Sequence, residues 1–315
     1  MINIFYRLGS EIVFAQSETE FARLSRDSVL WIDLLDPSGE EKRATEIFLG
    51  TEIQSRAQAE EIESSSRFSE THEAIFANTN YISPEGDELV EDPVSFTLVG
   101  PILTTLREIP LRSFTSLQRR MQARPELYKD GYHLFVAIMD QRVDLDADII
   151  ELISKDAAQF SKRINQKEDI NEDFLLDINQ LQENTMLIQE NEVDKQRLIS
   201  NILKSGRFPK ELEGRLTVLL QDISSLINHT NAAFERLKYL QDTVVGLINL
   251  DQNDIMKIFT FISLILMPAT LVTSFYGMNV KLPIAEFPWA WGAILLLMVL
   301  LATGLWVVFR RKKML

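Results

Sequence analysis

The sequence predicts an α+β soluble domain, an α/β sandwich carrying a long helical hairpin, followed by a long stalk helix and two C-terminal transmembrane helices. Three observations predict it. Residues 1–110 alternate apolar and polar side chains in short runs broken by turn residues, the period-two pattern of half-buried strands. From residue 111 to residue 276 the apolar positions recur at three and four, with only Pro125, Pro209 and Pro268 to interrupt. Ile258 to Val280 and Phe287 to Phe309 each hold 23 residues without a charged side chain. At about 1.5 Å rise per helical residue each run reaches roughly 34 Å, enough to cross a hydrocarbon core.

In the first region the candidate strands are Ile2 to Arg7, Glu11 to Ala15, Val29 to Leu34, Ala74 to Ile82, Val94 to Val99 and Ile102 to Arg107. Helical patterns lie near Glu40 to Leu49 and Ile53 to Ser64, and Pro37, Gly50 and the Pro84-Glu85-Gly86 turn punctuate the region. Trp31 and Ile32 read as strand core and Asp36 to Ser38 as a helix cap.

Residues 111–208 form the hairpin: a helix ending near Ala123, then an antiparallel pair, Glu126 to Asn165 and Glu172 to Lys204, joined near Gln166 to Ile170. Within it Asp144, Asp146 and Asp148 resemble the start of a calcium loop. The loop needs Gly at Ile149 and an acid at Lys155, so the reading fails and a solvated helix face is expected.

Pro209 suits the first residue of a new helix. The stalk, 209–256, carries Leu212, Leu216, Leu219, Ile223, Leu226, Leu237, Leu240, Val244, Leu247 and Ile255 largely at helical spacing and runs into a first span over 257–280. Along it Asn253, Met256, Thr260, Ser263, Met267, Thr270 and Ser274 recur every three or four residues, a stripe of polar, small or soft side chains among Ile, Leu, Val and Phe. Lipid offers such a stripe nothing, so it should face protein or water. Pro268 deprives the Leu264 carbonyl of its usual donor, which suits a pore wall and ordinary membrane-helix packing equally. Lys257 should snorkel toward the lipid surface. A short connection, 281–286, leads to the second span, 287–309, with Trp289 and Trp291 placed for one interface and Trp306 for the other. The basic tail, 310–315, opens with Arg310, Arg311, Lys312 and Lys313 and by the positive-inside rule is cytoplasmic. Two spans then return the soluble domain to the cytoplasm, in keeping with an N-terminus that reads as a strand instead of a signal peptide.

Composition narrows the function. A formal net charge of −14 and a pI near 4.8 disfavour nucleic acid and fit a surface that gathers cations. There is no Cys, and His72, His133 and His229 stand at no metal-ligand spacing, which argues against a zinc site of N and S ligands. An enzyme is disfavoured: the chain has no P-loop, no H-E-x-x-H and no nucleophile elbow, and no organic cofactor is expected.

The stripe ends at Tyr276-Gly277-Met278-Asn279, directly before the short connection. In this the chain resembles the CorA family of magnesium channels, whose signature is a Gly-Met-Asn tripeptide closing the first of two C-terminal membrane helices. Trp31 to Glu41, Glu60 to Glu70 and Gly246 to Phe259 are similar to segments of the enterobacterial branch. The resemblance implies a homopentameric funnel in the inner membrane, closed by cytoplasmic Mg²⁺ and admitting Co²⁺ and Ni²⁺ as secondary ions. It makes Gly277, Met278 and Asn279 the entrance filter, with Asn279 accepting hydrogen bonds from water held by the ion. It makes Asn253, Met256, Phe259, Met267 and Thr270 the pore lining, Met256 and Phe259 being the hydrophobic constriction. Asp222, Asp242 and Asp251 are candidates for the regulatory acids. Where the family often carries an acidic Met-Pro-Glu-Leu segment, this chain has Leu282-Pro283 and Glu286. Two alternatives remain at this stage, a ZntB-like zinc transporter and a membrane-anchored cation sensor that conducts nothing.

Overall fold

The computed structural model describes residues 1–54, 67–166, 170–278 and 287–311. The expected helix at Ile53 to Ser64, most of the Glu60 to Glu70 segment, the centre of the hairpin link and the connection carrying Glu286 lie outside the described residues. The chain forms two compact units, Met1–Gln241 and Asp242–Leu315.

The first unit is built on one seven-stranded sheet in the order β2-β1-β3-β7-β6-β5-β4, with strands β1 (Ile2–Leu8), β2 (Glu11–Ala15), β3 (Val29–Leu35), β4 (Phe68–Glu70), β5 (Ala74–Glu85), β6 (Glu88–Val99) and β7 (Ile102–Arg107). Every pairing is antiparallel except β3 with β7. Alternation sorts the side chains between two apolar layers. Phe5, Trp31, Phe96 and Leu103 pack on one face, and Ile4, Ile32, Leu34 and Leu106 on the other.

β6 begins six residues before the Val94 expected from sequence, and Pro93 sits inside it opposite Asn80. Proline normally argues against a strand interior, because it cannot donate to a ladder. Here β7 pairs only with Ser95 to Val99, so at Pro93 the second side of β6 has no strand to donate to.

Helix α1 (Gly39–Leu49) covers the second face through Leu49, with Phe48 beside it. It starts at a capping box: the Glu41 amide donates to Ser38 Oγ (3.1 Å) and the Ser38 amide to Glu41 Oε2 (2.8 Å). It stops at Gly50, whose φ of 72° a side chain would strain. The first face takes α2 (Arg112–Ala123), α3 (Gly131–Gln166), α4 (Glu172–Ser205) and the beginning of α5 (Lys210–Tyr276). Leu212, Leu216, Leu219 and Ile223 of α5 enter this core beside Phe135, Met139 and Ile199. Each such burial is worth about 1.5–3 kcal/mol.

A charged pair crosses the centre of the sheet. Asp33 of β3 accepts from Arg107 Nη2 (2.8 Å), Arg107 Nε (3.1 Å) and Thr105 (2.9 Å), while the Trp31 indole donates to Thr105 (3.0 Å). The guanidinium lies over the Phe114 ring at 4.6 Å, so β3, β7 and α2 meet around one saturated network.

One sequence expectation needs correction. Asp144 and Asp148 are exposed, as a solvated face requires, but Asp146 is fully buried, held by Arg142 and Lys195. Successive side chains on a helix turn by about 100°, so acids two apart need not share an environment. The Arg142/Asp146 spacing of four was the available signal.

Helix α3 starts where the chain leaves almost no room. The Gly131 amide donates to the Pro101 carbonyl at 2.6 Å, and a Cβ on Gly131 would stand 2.4 Å from the Leu103 amide nitrogen. Gly131→Ala is therefore expected to cost about 1–3 kcal/mol through overpacking, read as a lowered melting temperature of the full-length protein. An unchanged melt would show that the α3 start can retreat.

Candidate functional site

The second unit consists of the remainder of α5 and a second apolar helix, α6 (Ala290–Arg311). Both are long and apolar enough to cross a membrane, and the residues of their most apolar windows are unburied. A helix satisfies its own backbone, so this geometry suits lipid. Phe261 of α5 and Phe309 of α6 meet edge to face at 5.7 Å, bringing the start of the first apolar run beside the end of the second. At that end Arg310 lies over the Trp306 ring at 5.2 Å, while Trp289 and Trp291 stand exposed at the other. These are positions where amphipathic rings anchor at interfaces.

Asn253, Met256, Phe259, Met267 and Thr270 are all exposed, together with Thr260, Ser263 and Ser274. The stripe steps by three and four in turn, an average of 3.5 residues, which keeps it on one face with a slow drift. Its centre forms a shallow groove of about 600 Å³ lined by Ser263, Leu266, Met267, Thr270, Leu271 and Ser274. All six belong to one helix, so the groove is open.

The threonine hydroxyls give this face a sign. Thr260 donates to the Met256 carbonyl (2.7 Å), Thr270 to Leu266 (2.9 Å) and Thr273 to Ala269 (3.0 Å). With each proton spent on the helix's own carbonyl, what these oxygens offer outward is lone pairs. Such a face accepts hydrogen bonds and carries no charge.

α5 stays helical through Pro268 and ends at Tyr276. The Gly277 amide donates to the Thr273 carbonyl at 2.9 Å, and a Cβ there would approach that oxygen to 3.1 Å. Gly277 does not take a left-handed φ, so what it supplies is clearance against Thr273. Met278 follows, half exposed, and Asn279 lies outside the described residues. Lys257, expected to reach for the lipid surface, pairs with Asp254 at 2.8 Å.

Asp222, Asp242 and Asp251 are exposed on α5. Asp222 belongs to the first unit and the other two to the second, where nine residues of helix separate them by about 13 Å. They do not meet within one chain. Among the described residues no three His, Cys, Asp or Glu side chains gather to hold a metal ion. Asp222 instead neighbours Asp140 of α3, which sequence reading passed over. Burial lifts the Asp140 carboxyl above the usual range against its pairing with Arg215, and the charges of Asp144 and Asp222 push it the same way. His133 is buried between Asp130 (2.7 Å) and Glu211 (3.1 Å), while His72 and His229 are exposed.

The family described as CorA-like Mg²⁺ transporter protein matches this sequence over residues 26–311. The magnesium transport protein CorA of Wolinella succinogenes is 31% identical over 319 residues, covering 99% of each chain. Among solved structures, the complete CorA magnesium transporter of Methanocaldococcus jannaschii superposes with a TM-score of 0.80 at 17% identity, covering 99% of this chain and 98% of that one. The cytoplasmic domain of ZntB from Vibrio parahaemolyticus gives a TM-score of 0.60 at 13% identity, covering 79% of this chain and 98% of that one. At those identities the structural likeness speaks to fold: a soluble α/β part, a long helix and two C-terminal apolar helices.

Because the Thr270 hydroxyl only decorates a helix already bonded through its backbone, Thr270→Val should change unfolding in detergent by less than about 1 kcal/mol. A larger loss would show that the hydroxyl holds the helix together.

Proposed function

This chain belongs to the CorA-like Mg²⁺ transporter family, and on that premise we propose that it conducts hydrated Mg²⁺ inward down the electrochemical gradient, through a path enclosed by five copies. It is a magnesium transport protein of the membrane, as its relatives are. The observation that carries the finer reading is the bare, uncharged, acceptor-lined stripe of α5 running up to Gly277-Met278-Asn279. Two helices cannot enclose water, so a stripe that needs water calls for copies around an axis.

Magnesium sheds its hydration shell reluctantly. A filter for the hydrated ion offers acceptors to its water, and the Asn279 amide oxygen is such an acceptor. Gly277 and Met278 present it, Thr270 and Met267 line the passage below, and Asn253 makes a second polar ring at the inner mouth. Met256 and Phe259 form an apolar neck that closes by dewetting. Co²⁺ and Ni²⁺ are secondary ions. Arg310 and Arg311 orient the protein with both termini in the cytoplasm and the filter outside, across the inner membrane. Closure follows from cytoplasmic Mg²⁺ bridging acids of neighbouring copies, Asp222, Asp242 and Asp251 among the candidates. Bound ions hold together like charges that otherwise push the ring open.

Zinc transport coupled to protons is the weaker reading, because no side chain from Ile258 to Tyr276 carries a carboxyl, imidazole or amine to move a proton. In liposomes holding the purified protein, Mg²⁺ influx should be fast with Mg²⁺-free interiors and fall with millimolar internal Mg²⁺. Asn279→Ala should cut it at least tenfold with the oligomer intact, and intact influx in that variant would remove the filter assignment. Absence of any flux from the wild type would favour a non-conducting sensor, and proton-dependent Zn²⁺ uptake the zinc carrier.

A further inference from the structure

The first unit buries more charge than its fold requires. Beneath the sheet, where α3 and α4 pass β5, Arg142, Asp146, Glu192 and Lys195 are all at most 4% exposed. Lys195 Nζ donates to Asp146 Oδ2 (2.7 Å) and to Glu192 Oε1 (2.8 Å), and it also bonds Asn191 Oδ1. Arg142 binds the other oxygen of Asp146 through Nε (2.9 Å) and Nη2. The Arg142 guanidinium lies 5.1 Å above the ring of Tyr81, a β5 residue, and Asn191 Nδ2 donates to the Asn80 carbonyl (3.1 Å). Three elements are thus tied together at one layer.

The hydrogen bonds of this layer are incomplete. Both carboxylates hang on the same ammonium, so their oxygens lie no farther apart than those two bonds allow. Among the described residues, Glu192 Oε2 and the Tyr81 hydroxyl are buried without a partner. A buried acceptor left bare costs free energy, and two carboxylates side by side repel. A proton on Glu192 turns that bare acceptor into an O–H donor and ends the repulsion between the carboxylates, leaving Asp146 to hold both cations, Arg142 and Lys195. The two carboxyls are close enough for the Asp146 charge to act directly on Glu192.

We propose that Glu192, beside Asp146, is a proton-binding site inside the soluble unit, which takes one proton from solution and whose emptying loosens α3 from α4. This goes beyond magnesium transport and stands whether or not the pore assignment holds. Surrounding groups leave the pair to itself. α5 meets this stretch of α4 through uncharged partners, Ser224 to Gln196 and Asn231 to Gln189. Asp194, on the same helix, is paired with Arg67. On β7, Arg107 is engaged by Asp33 and acts on Tyr81 only through space.

Burial and neighbouring charge act on the two carboxyls in opposite directions. Burial raises the Glu192 carboxyl to about 7 against the attraction of Lys195, with the Asp146 charge adding to the rise. Asp146 goes the other way: burial alone would raise it, but Lys195 and Arg142 together hold it below its usual range. In the unfolded chain Glu192 would titrate near 4.5. Between about pH 4.5 and 7 the folded state therefore carries one proton more than the unfolded state. Its stability falls as pH rises through that window and levels off above it, by up to tenfold in the folding equilibrium per pH unit. The Asp146 contribution changes only at lower pH, outside the window.

The test compares thermal unfolding of the full-length protein in detergent, wild type against Glu192→Gln, from pH 5 to 8.5. The wild type should lose stability relative to the variant from pH 5 to 7, and the difference should be constant above that. A difference independent of pH would overturn the proposal. Should Glu192→Gln not fold, infrared titration decides. The wild type must show a protonated-carboxyl band that vanishes near neutrality, and Glu192→Asp must move its midpoint. No band, or an unmoved midpoint, overturns the proposal.

Discussion

One helix has to be compatible with two solvents. Over Leu212, Leu216, Leu219 and Ile223, α5 turns an apolar edge into the soluble core, and over Met256, Phe259 and Met267 its side chains lie bare. The backbone is indifferent to the change, because a helix bonds its own amides in water and in lipid alike. The side chains are not. Apolar surface left in water costs about 25 cal/mol per Å², so the second unit requires lipid or further copies of itself. Residence in the membrane follows from that demand.

Membrane residence explains the apolar faces of α5 and α6 but not the stripe. Hydrocarbon has no use for the oxygens of Asn253, Thr270 and Ser274, and those faces are uncovered within one chain. On the proposed function, charge on the stripe would bind a divalent ion too tightly to release it, whereas neutral acceptors would meet the ion's water and let it go. Thr260 and Thr270 direct their protons inward, making the face an acceptor surface, and residue type alone does not reveal that orientation.

The soluble unit contains two buried ionic networks that differ in how completely their polar atoms are bonded. Asp33 and Arg107 are matched one to one, with Thr105 and Trp31 completing the set. Burying such a pair is costly, but breaking it is costlier, so it behaves as a fixed joint. Around Lys195 the charges also balance, Asp146 and Glu192 against Lys195 and Arg142, but among the described residues Glu192 Oε2 and the Tyr81 hydroxyl find no partner. On the proposed reading a proton on Glu192 makes this network adjustable where the first is rigid.

Sequence by itself determined whatever depends on local periodicity or on the absence of charge. β2 and β7 end where alternation ends, α1 begins at Ser38 and stops at Gly50, and the two uncharged runs appear as α5 and α6. These follow from neighbouring residues, so one dimension suffices. Tertiary structure alone decided what depends on distant partners. Pro93 is tolerated in β6 because β7 stops short of it. Asp146 is a buried ion and not a solvated acid because Lys195, 49 residues away, faces it. Gly131 is needed for the clearance that Leu103 and Pro101 leave it. A one-dimensional pattern records a residue's own preference; the charge or wall it will meet is set only when the chain has folded back on itself.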